Sequence, residues 1–179
     1  MARISPLVVL PPLIFAGIAG LFFAGMMRDD PNALPSTREG APAPNVVALP
    51  VAGLPIFGEE ELAASGIKIV NFWASWCAPC RAEHPNLIEL GEDYPVYGIN
   101  GDVSDADAVA FLDELGNPFD GVVGNARNAQ SIEWGVYAFP ETFFIDGDGN
   151  VILHFRGPIT QRSLETRILP ALDAAVQGS

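Results

Sequence analysis

Residues 67–80, IKIVNFWASWCAPC, carry an eight-residue run rich in β-branched and aromatic side chains into the chain's only two cysteines, Cys77 and Cys80. The run from Ile67 to Ala74 has the composition of a buried strand. The stretch after it, PCRAEHPNLIELGED over 79–93, reads as a helix with Leu87, Ile88 and Leu90 apolar and Gly91 near its end. A strand feeding a helix is the unit from which layered α/β sheets are built. VYGIN (96–100) is another short strand, and DADAVAFLDEL (105–115) is a helix opened by acids and ended by Gly116. ETFFID and VILHF are strands flanking the turn GDGN, and SLETRILPALDAAV is a last helix. This alternation predicts an α/β fold with a central, partly parallel sheet flanked by helices.

The 179 residues suffice for one ordinary domain with a sizeable core, and 49% of them are apolar. Acidic residues outnumber basic ones 22 to 9, and Lys68 is the only lysine. A net charge of −13 argues against a nucleic-acid partner, because phosphate binding needs clustered Lys and Arg. The N-terminal region differs in kind. Residues 4–27 contain no charge and are bounded by Arg3 and Arg28. As a helix they would span about 36 Å, enough for a hydrocarbon core of about 30 Å. Pro11 and Pro12 fall in the first half, where a membrane helix tolerates them.

A cleaved signal peptide is the rival reading. The apolar run exceeds the roughly 7–15 residues usual there, and the one A-x-A triplet, Ala41-Pro42-Ala43, lies far downstream. Residues 1–28 are therefore read as an uncleaved transmembrane anchor, in the bilayer through residues 4–27. Residues 29–44, with four prolines, are read as a Pro/Ala-rich linker, and 45–179 as the globular domain. Loop charge does not orient the span, since Arg3 and the amino terminus face Arg28 and Arg38 across it.

Three roles compete for the cysteines. A bond from Cys77 to Cys80 closes a loop of only a few residues, so as a staple it would restrict the unfolded chain little. A closed zinc site needs four ligands and there is no second cysteine pair, while covalent haem attachment wants a His where Arg81 stands. Neither metal nor cofactor is expected. His84, close by, is read as packing on its helix. Redox catalysis fits the local physics. Cys77 falls at the start of a helix, where exposed N–H groups and the helix dipole stabilise a thiolate, the nucleophilic form. Cys80, one turn in, can attack a mixed disulfide formed by Cys77. Pro79 is tolerated in the first turn, and Trp76 is expected to shield one side of the pair.

FWASWCAPC, with Pro85 five residues after the second cysteine, resembles the thioredoxin fold. EHP, VYGIN, FLDELGNPF and above all GVYAFPETFFIDGDGNV resemble the membrane-anchored thiol:disulfide interchange proteins of cytochrome c maturation, the DsbE/CcmG type. The likeness covers roughly residues 45–175, plus the anchor. It implies a thioredoxin-like fold with Cys77 as attacking thiolate and Cys80 as resolving thiol. Pro140 would be a cis-proline whose loop faces the cysteines and pairs with substrate backbone. Glu83 and Glu141 match two acidic positions of this branch. If both approached the pair, their charges would raise the thiol pKa and favour a reductant. The implied substrate is a disulfide of apocytochrome c or of a haem-ligation partner, with a transmembrane electron donor recharging the protein. The soluble domain would lie on the periplasmic side of the inner membrane, where disulfides form.

Four positions depart from the branch. Asn71 stands where thioredoxins carry a buried Asp, so Glu83 or a water would have to move that proton. Phe139 is bulkier than expected before the proline, Ala138 replaces a glycine, and Asn125 stands in place of an Asp. Asp146, Asp148 and Asn150 mimic the start of a calcium loop, but Val151 replaces its glycine and Gly157 its distant Glu, so a turn is expected. Trp73, Trp134, Phe143 and His154 are read as structural. Two other functions remain open: a related anchored reductase for metal-site assembly or general disulfide reduction, and a non-catalytic thioredoxin-like binding module. The intact pair of thiols speaks against the last.

Overall fold

The structure, a computed structural model, describes residues 6–26 and 36–177. They form two separate units, divided between Leu34 and Pro35.

The first unit is helix α1, Pro6–Met26, 21 residues long and without a charged side chain, with Pro11 and Pro12 inside it. Taken over the residues whose side chains are described, no helix is long and apolar enough to cross a membrane. The flanking residues 1–5 and 27–35, with Arg3, Arg28 and most of the expected linker, lie outside the described residues.

The second unit runs in the order α2 (Glu59–Leu62), β1 (Lys68–Trp73), α3 (Ala78–Gly91), β2 (Val96–Asn100), α4 (Asp105–Leu115), β3 (Gly121–Gly124), α5 (Ala129–Trp134), β4 (Glu141–Ile145) and β5 (Val151–Arg156). A C-terminal helical run follows, made of α6 (Gln161–Ser163), a π-helical turn over Leu164–Ile168 and α7 (Leu169–Gln177). Pro170 explains the turn, because it has no N–H to give and its ring crowds the carbonyl one turn back. The five strands lie in the order β3-β2-β1-β4-β5; β1, β2 and β3 are parallel, while β4 is antiparallel to both β1 and β5. This is the mixed sheet expected from sequence. β3 and the short α2 and α5 carry too few residues to show a period and were not expected.

Every residue of β1 and β2 is buried, as in strands covered on both faces. Side chains alternate across the strands and so separate two cores. Ile69, Trp73 and Phe144 face Leu87, Phe111 and the C-terminal helices. Val70, Phe72 and Phe143 face Trp134 and Phe57 on the other side. Lys68 keeps its ammonium bonded to the carbonyls of Ala64 and Asp146.

The linker reading needs correcting at its end. Residues up to 44 were expected to be spacer, but the Gly40 amide donates to the Val151 carbonyl at 2.8 Å and the Val151 amide to that of Ala41 at 2.9 Å. From there the chain crosses to the opposite edge, where Gly124 N–H bonds to Leu49 O and Val122 N–H to Pro55 O. Both sheet edges are thereby covered, and composition cannot show this because the covering segment contributes backbone rather than a patterned face.

Candidate active site

Cys77 and Cys80 are disulfide-bonded at the junction of β1 and α3, with Cα atoms 5.2 Å apart. Cys77 is the N-cap of α3, and its Sγ accepts the Cys80 amide at 3.1 Å. The first turn of the helix thus aims an N–H at the Cys77 sulfur, where it stabilises a thiolate. Both cysteines are buried, with exposed Trp76, Ala78 and Pro79 around them. Trp76 is 69% exposed and packs on Phe139, ring centroids 5.8 Å apart. The Phe139–Pro140 peptide is cis.

The two glutamates are parted by the sheet. Glu83, one turn after Cys80 on α3, is fully buried on the cysteine side. Its Oε1 accepts from Asn71 Nδ2 at 2.9 Å and its Oε2 from the Ile159 amide at 2.8 Å. Desolvation pushes its carboxyl up to about 7, against these two bonds, which favour the charged form. Asn71 also donates to Thr142 Oγ1 at 2.9 Å, and its own Oδ1 has no partner. The position that holds an acid in thioredoxins therefore holds the amide that binds Glu83.

Glu141 neighbours Thr142 on β4 and so faces the other way. Its Oε2 meets His154 Nε2 at 2.6 Å, with Arg156 Nε at 3.8 Å, and its Oε1 accepts from the Tyr137 and Ala138 amides at 3.2 Å each. The expectation that both acids approach the cysteines fails for Glu141: its carboxyl is bonded to His154 on the other face of the sheet, near Arg156, and it ties down the loop before Pro140. His154, stacked on Phe143 at 3.9 Å, reaches Ser36 Oγ through Nδ1 at 2.8 Å. His84 is buried, bonds the Gly116 carbonyl at 2.8 Å and is pushed down mainly by burial. Asp146 Oδ1 caps its own turn through the amides of Asp148 and Asn150. Among the described residues no group of three or more His, Cys, Asp or Glu side chains is placed to hold a metal.

A cavity of about 490 Å³ opens beside the disulfide, between Trp76, the loop before Pro140 and the turn at Arg127 and Asn128. Nothing in the sequence points to that turn beyond the unexplained Asn125, whose Oδ1 accepts the amides of Gln130 and Ser131 and whose Nδ2 donates to Ser131 Oγ. Ile159 was missed altogether, since a backbone donor leaves no signature.

A disulfide at the mouth of a parallel βα junction, beside a cis-proline loop on a five-stranded mixed sheet, defines a thioredoxin-like thiol:disulfide oxidoreductase. Residues 38–168 match the Redoxin family. The chain is 46% identical to a thiol:disulfide interchange protein DsbE homolog of Paracoccus denitrificans, over 98% of each chain. It is 40% identical to the thiol:disulfide interchange protein HelX of Rhodobacter capsulatus, over 94% of this chain and 96% of that one. A solved Chlorobium tepidum structure, described as a thiol:disulfide interchange protein DsbE, superposes with a TM-score of 0.64 at 28% identity, over 76% of this chain and 99% of that one. The chain belongs to the Redoxin family, among the DsbE-type thiol:disulfide interchange proteins.

Proposed function

We propose that this protein is a membrane-tethered reductase that acts outside the cytoplasm on a disulfide of apocytochrome c, or of a haem-ligation partner, during cytochrome c maturation. The observation that carries the reductive direction is the buried carboxyl of Glu83, one turn from Cys80 and on its side of the sheet. An acid there disfavours a thiolate and so lowers the reduction potential of the pair.

In the reduced protein the Cys77 thiolate attacks one substrate sulfur, and the expelled substrate thiolate takes a proton. Cys80 then loses its proton to Glu83, whose value of about 7 suits a base at neutral pH. The Cys80 thiolate attacks Cys77 Sγ, expels the second substrate thiolate and leaves the Cys77–Cys80 disulfide. Two electrons have passed to the substrate, and a transmembrane dithiol donor must return them. Trp76 and the Pro140 loop border the path by which the substrate approaches. The tether rests on the sequence, in which residues 4–27 carry no charge; α1 forms within them, with Phe15, Leu21 and Phe22 more than 70% exposed.

The test is a Cys80→Ser full chain in its native membrane, which should hold substrate as a mixed disulfide on Cys77. Apocytochrome c or a haem-ligation protein among the trapped partners supports the proposal. Trapping only unrelated proteins would leave a general disulfide reductase. An impermeant thiol reagent that labels the reduced cysteines only after lysis would refute the location.

A further inference from the structure

The cavity beside the disulfide has two walls that thiol exchange does not require. On one side Phe139 lies over Gly101: a Cβ at Gly101 would stand 2.4 Å from Phe139 Cε2. The bulky residue before the cis-proline is therefore seated on a missing side chain, and its ring closes the cavity toward Trp76. On the other side Arg127 and Asn128 are both left-handed, with φ of 55° and 57°. Non-glycine residues adopt that conformation at a cost of about 1 kcal/mol each, and such strain gathers at functional sites. The Asn125 side chain and the Asn128 amide bonded to Asn125 O at 3.0 Å hold the turn in place.

The turn sets Arg127 at the cavity, where among the described residues it has no ion-pair or hydrogen-bond partner. The chain is strongly acidic, with a net charge of −13, and most of its described cations are engaged. Arg38 and Lys68 bond carbonyls, Arg81 pairs with Glu114, Arg156 with Glu141, and Arg167 lies over Phe155. Asp102, next to Gly101 in the chain, is occupied by Ser75 and Asn100. Trp76, Ile132 and Tyr137, each about 70% exposed or more, give the same cavity an apolar rim. Large exposed apolar groups gathered around one cavity mark a binding surface.

We propose that this cavity selects the substrate: it takes an extended, disulfide-bonded peptide that places an apolar side chain beside its cysteine against Trp76, Ile132 and Phe139, and an acidic side chain nearby on Arg127. The inference rests on the reading that Cys77 reduces a peptide disulfide. Phe139 sets the depth of the apolar part and Arg127 the preferred charge.

Four synthetic peptides with one internal disulfide test it, combining Leu or Ser beside the cysteine with Glu or Lys two residues further on. The pre-reduced full chain in detergent micelles is mixed with each, and single-turnover rates are followed by tryptophan fluorescence. The Glu peptides should react about threefold to fivefold faster than the Lys peptides, the range of a partly exposed ion pair. Arg127→Glu should invert that ratio, and Phe139→Ala should weaken the preference for Leu over Ser while keeping the charge preference. Equal rates on all four peptides, or a Glu-to-Lys ratio unmoved by Arg127→Glu, would overturn the proposal. Hydroxyethyl disulfide, too small to reach the cavity, separates the two failures. If wild type reduces it but shows no peptide preference, only the pocket is lost; if wild type reduces no disulfide, the reductase reading is lost as well.

Discussion

Glu83 is the residue at which burial and chemistry meet. Its carboxyl is raised from 4.5 to about 7, so between those values the folded protein holds a proton that the unfolded chain has released. Stability therefore falls as pH rises through that window, by up to about 3 kcal/mol. In Glu83→Gln this pH-dependent part is gone, whatever constant cost the amide brings. The wild-type minus variant difference in unfolding free energy from urea melts should fall between pH 4.5 and 7, and a flat difference would refute the raised value. Asn71→Asp would put a second carboxyl in hydrogen-bond reach of Glu83. The two acids would then share a proton, and the variant should lose stability more steeply than wild type between pH 6 and 8, read from urea midpoints. The missing acid at position 71 was legible in the sequence. That its amide would serve Glu83, with Ile159 as the second donor, was not, because β1, α3 and the loop after β5 meet only in the folded chain.

At the scale of elements, β4 and β5 are joined by the buried Glu141–His154 hydrogen bond as well as by their ladder. His154→Leu removes the imidazole from the buried Glu141 carboxyl, which keeps the Tyr137 and Ala138 amides and has Arg156 at 3.8 Å. The loss should be about 1–3 kcal/mol, measured by urea unfolding; a change within 0.5 kcal/mol would show that the bond contributes little. Strand β2 carries a second constraint. A Cβ at Gly98 would stand 2.7 Å from Trp73 Nε1 and 3.1 Å from Phe119 Cδ1, both in the packed core. Gly98→Ala should cost about 1–3 kcal/mol in the same assay. Strand alternation in ETFFID shows that Glu141 and Thr142 lie on opposite faces. Which face α3 would cover depends on the crossover, so the sequence alone could not exclude Glu141 from the cysteines.

At the scale of the molecule the chain divides into two compact units, and the boundary at Pro35 marks where to cut. A chain of residues 36–179 should remain soluble and reduce small disulfides at the rate of the full chain, since the described edge contacts begin at Ser36. The full chain should stay with the membrane fraction through an alkaline carbonate wash. Release of the full chain by that wash would remove the tether from the proposed function.

What the sequence determined by itself was what local physics can carry. The β-branched run, the cysteines at a helix start and the period of the flanking segments were sufficient for the α/β layers and the thiol chemistry. The uncharged stretch at the N-terminus was sufficient for a helix, and α1 is one. Tertiary structure alone decided which groups face each other across the sheet. It set Glu83 on the cysteine side and Glu141 on the other, bound residues 36–55 to both sheet edges, and bent Arg127 and Asn128 into a left-handed turn beside Phe139. Each of these depends on desolvation or on a backbone partner far away in the chain, and neither leaves a pattern in neighbouring residues.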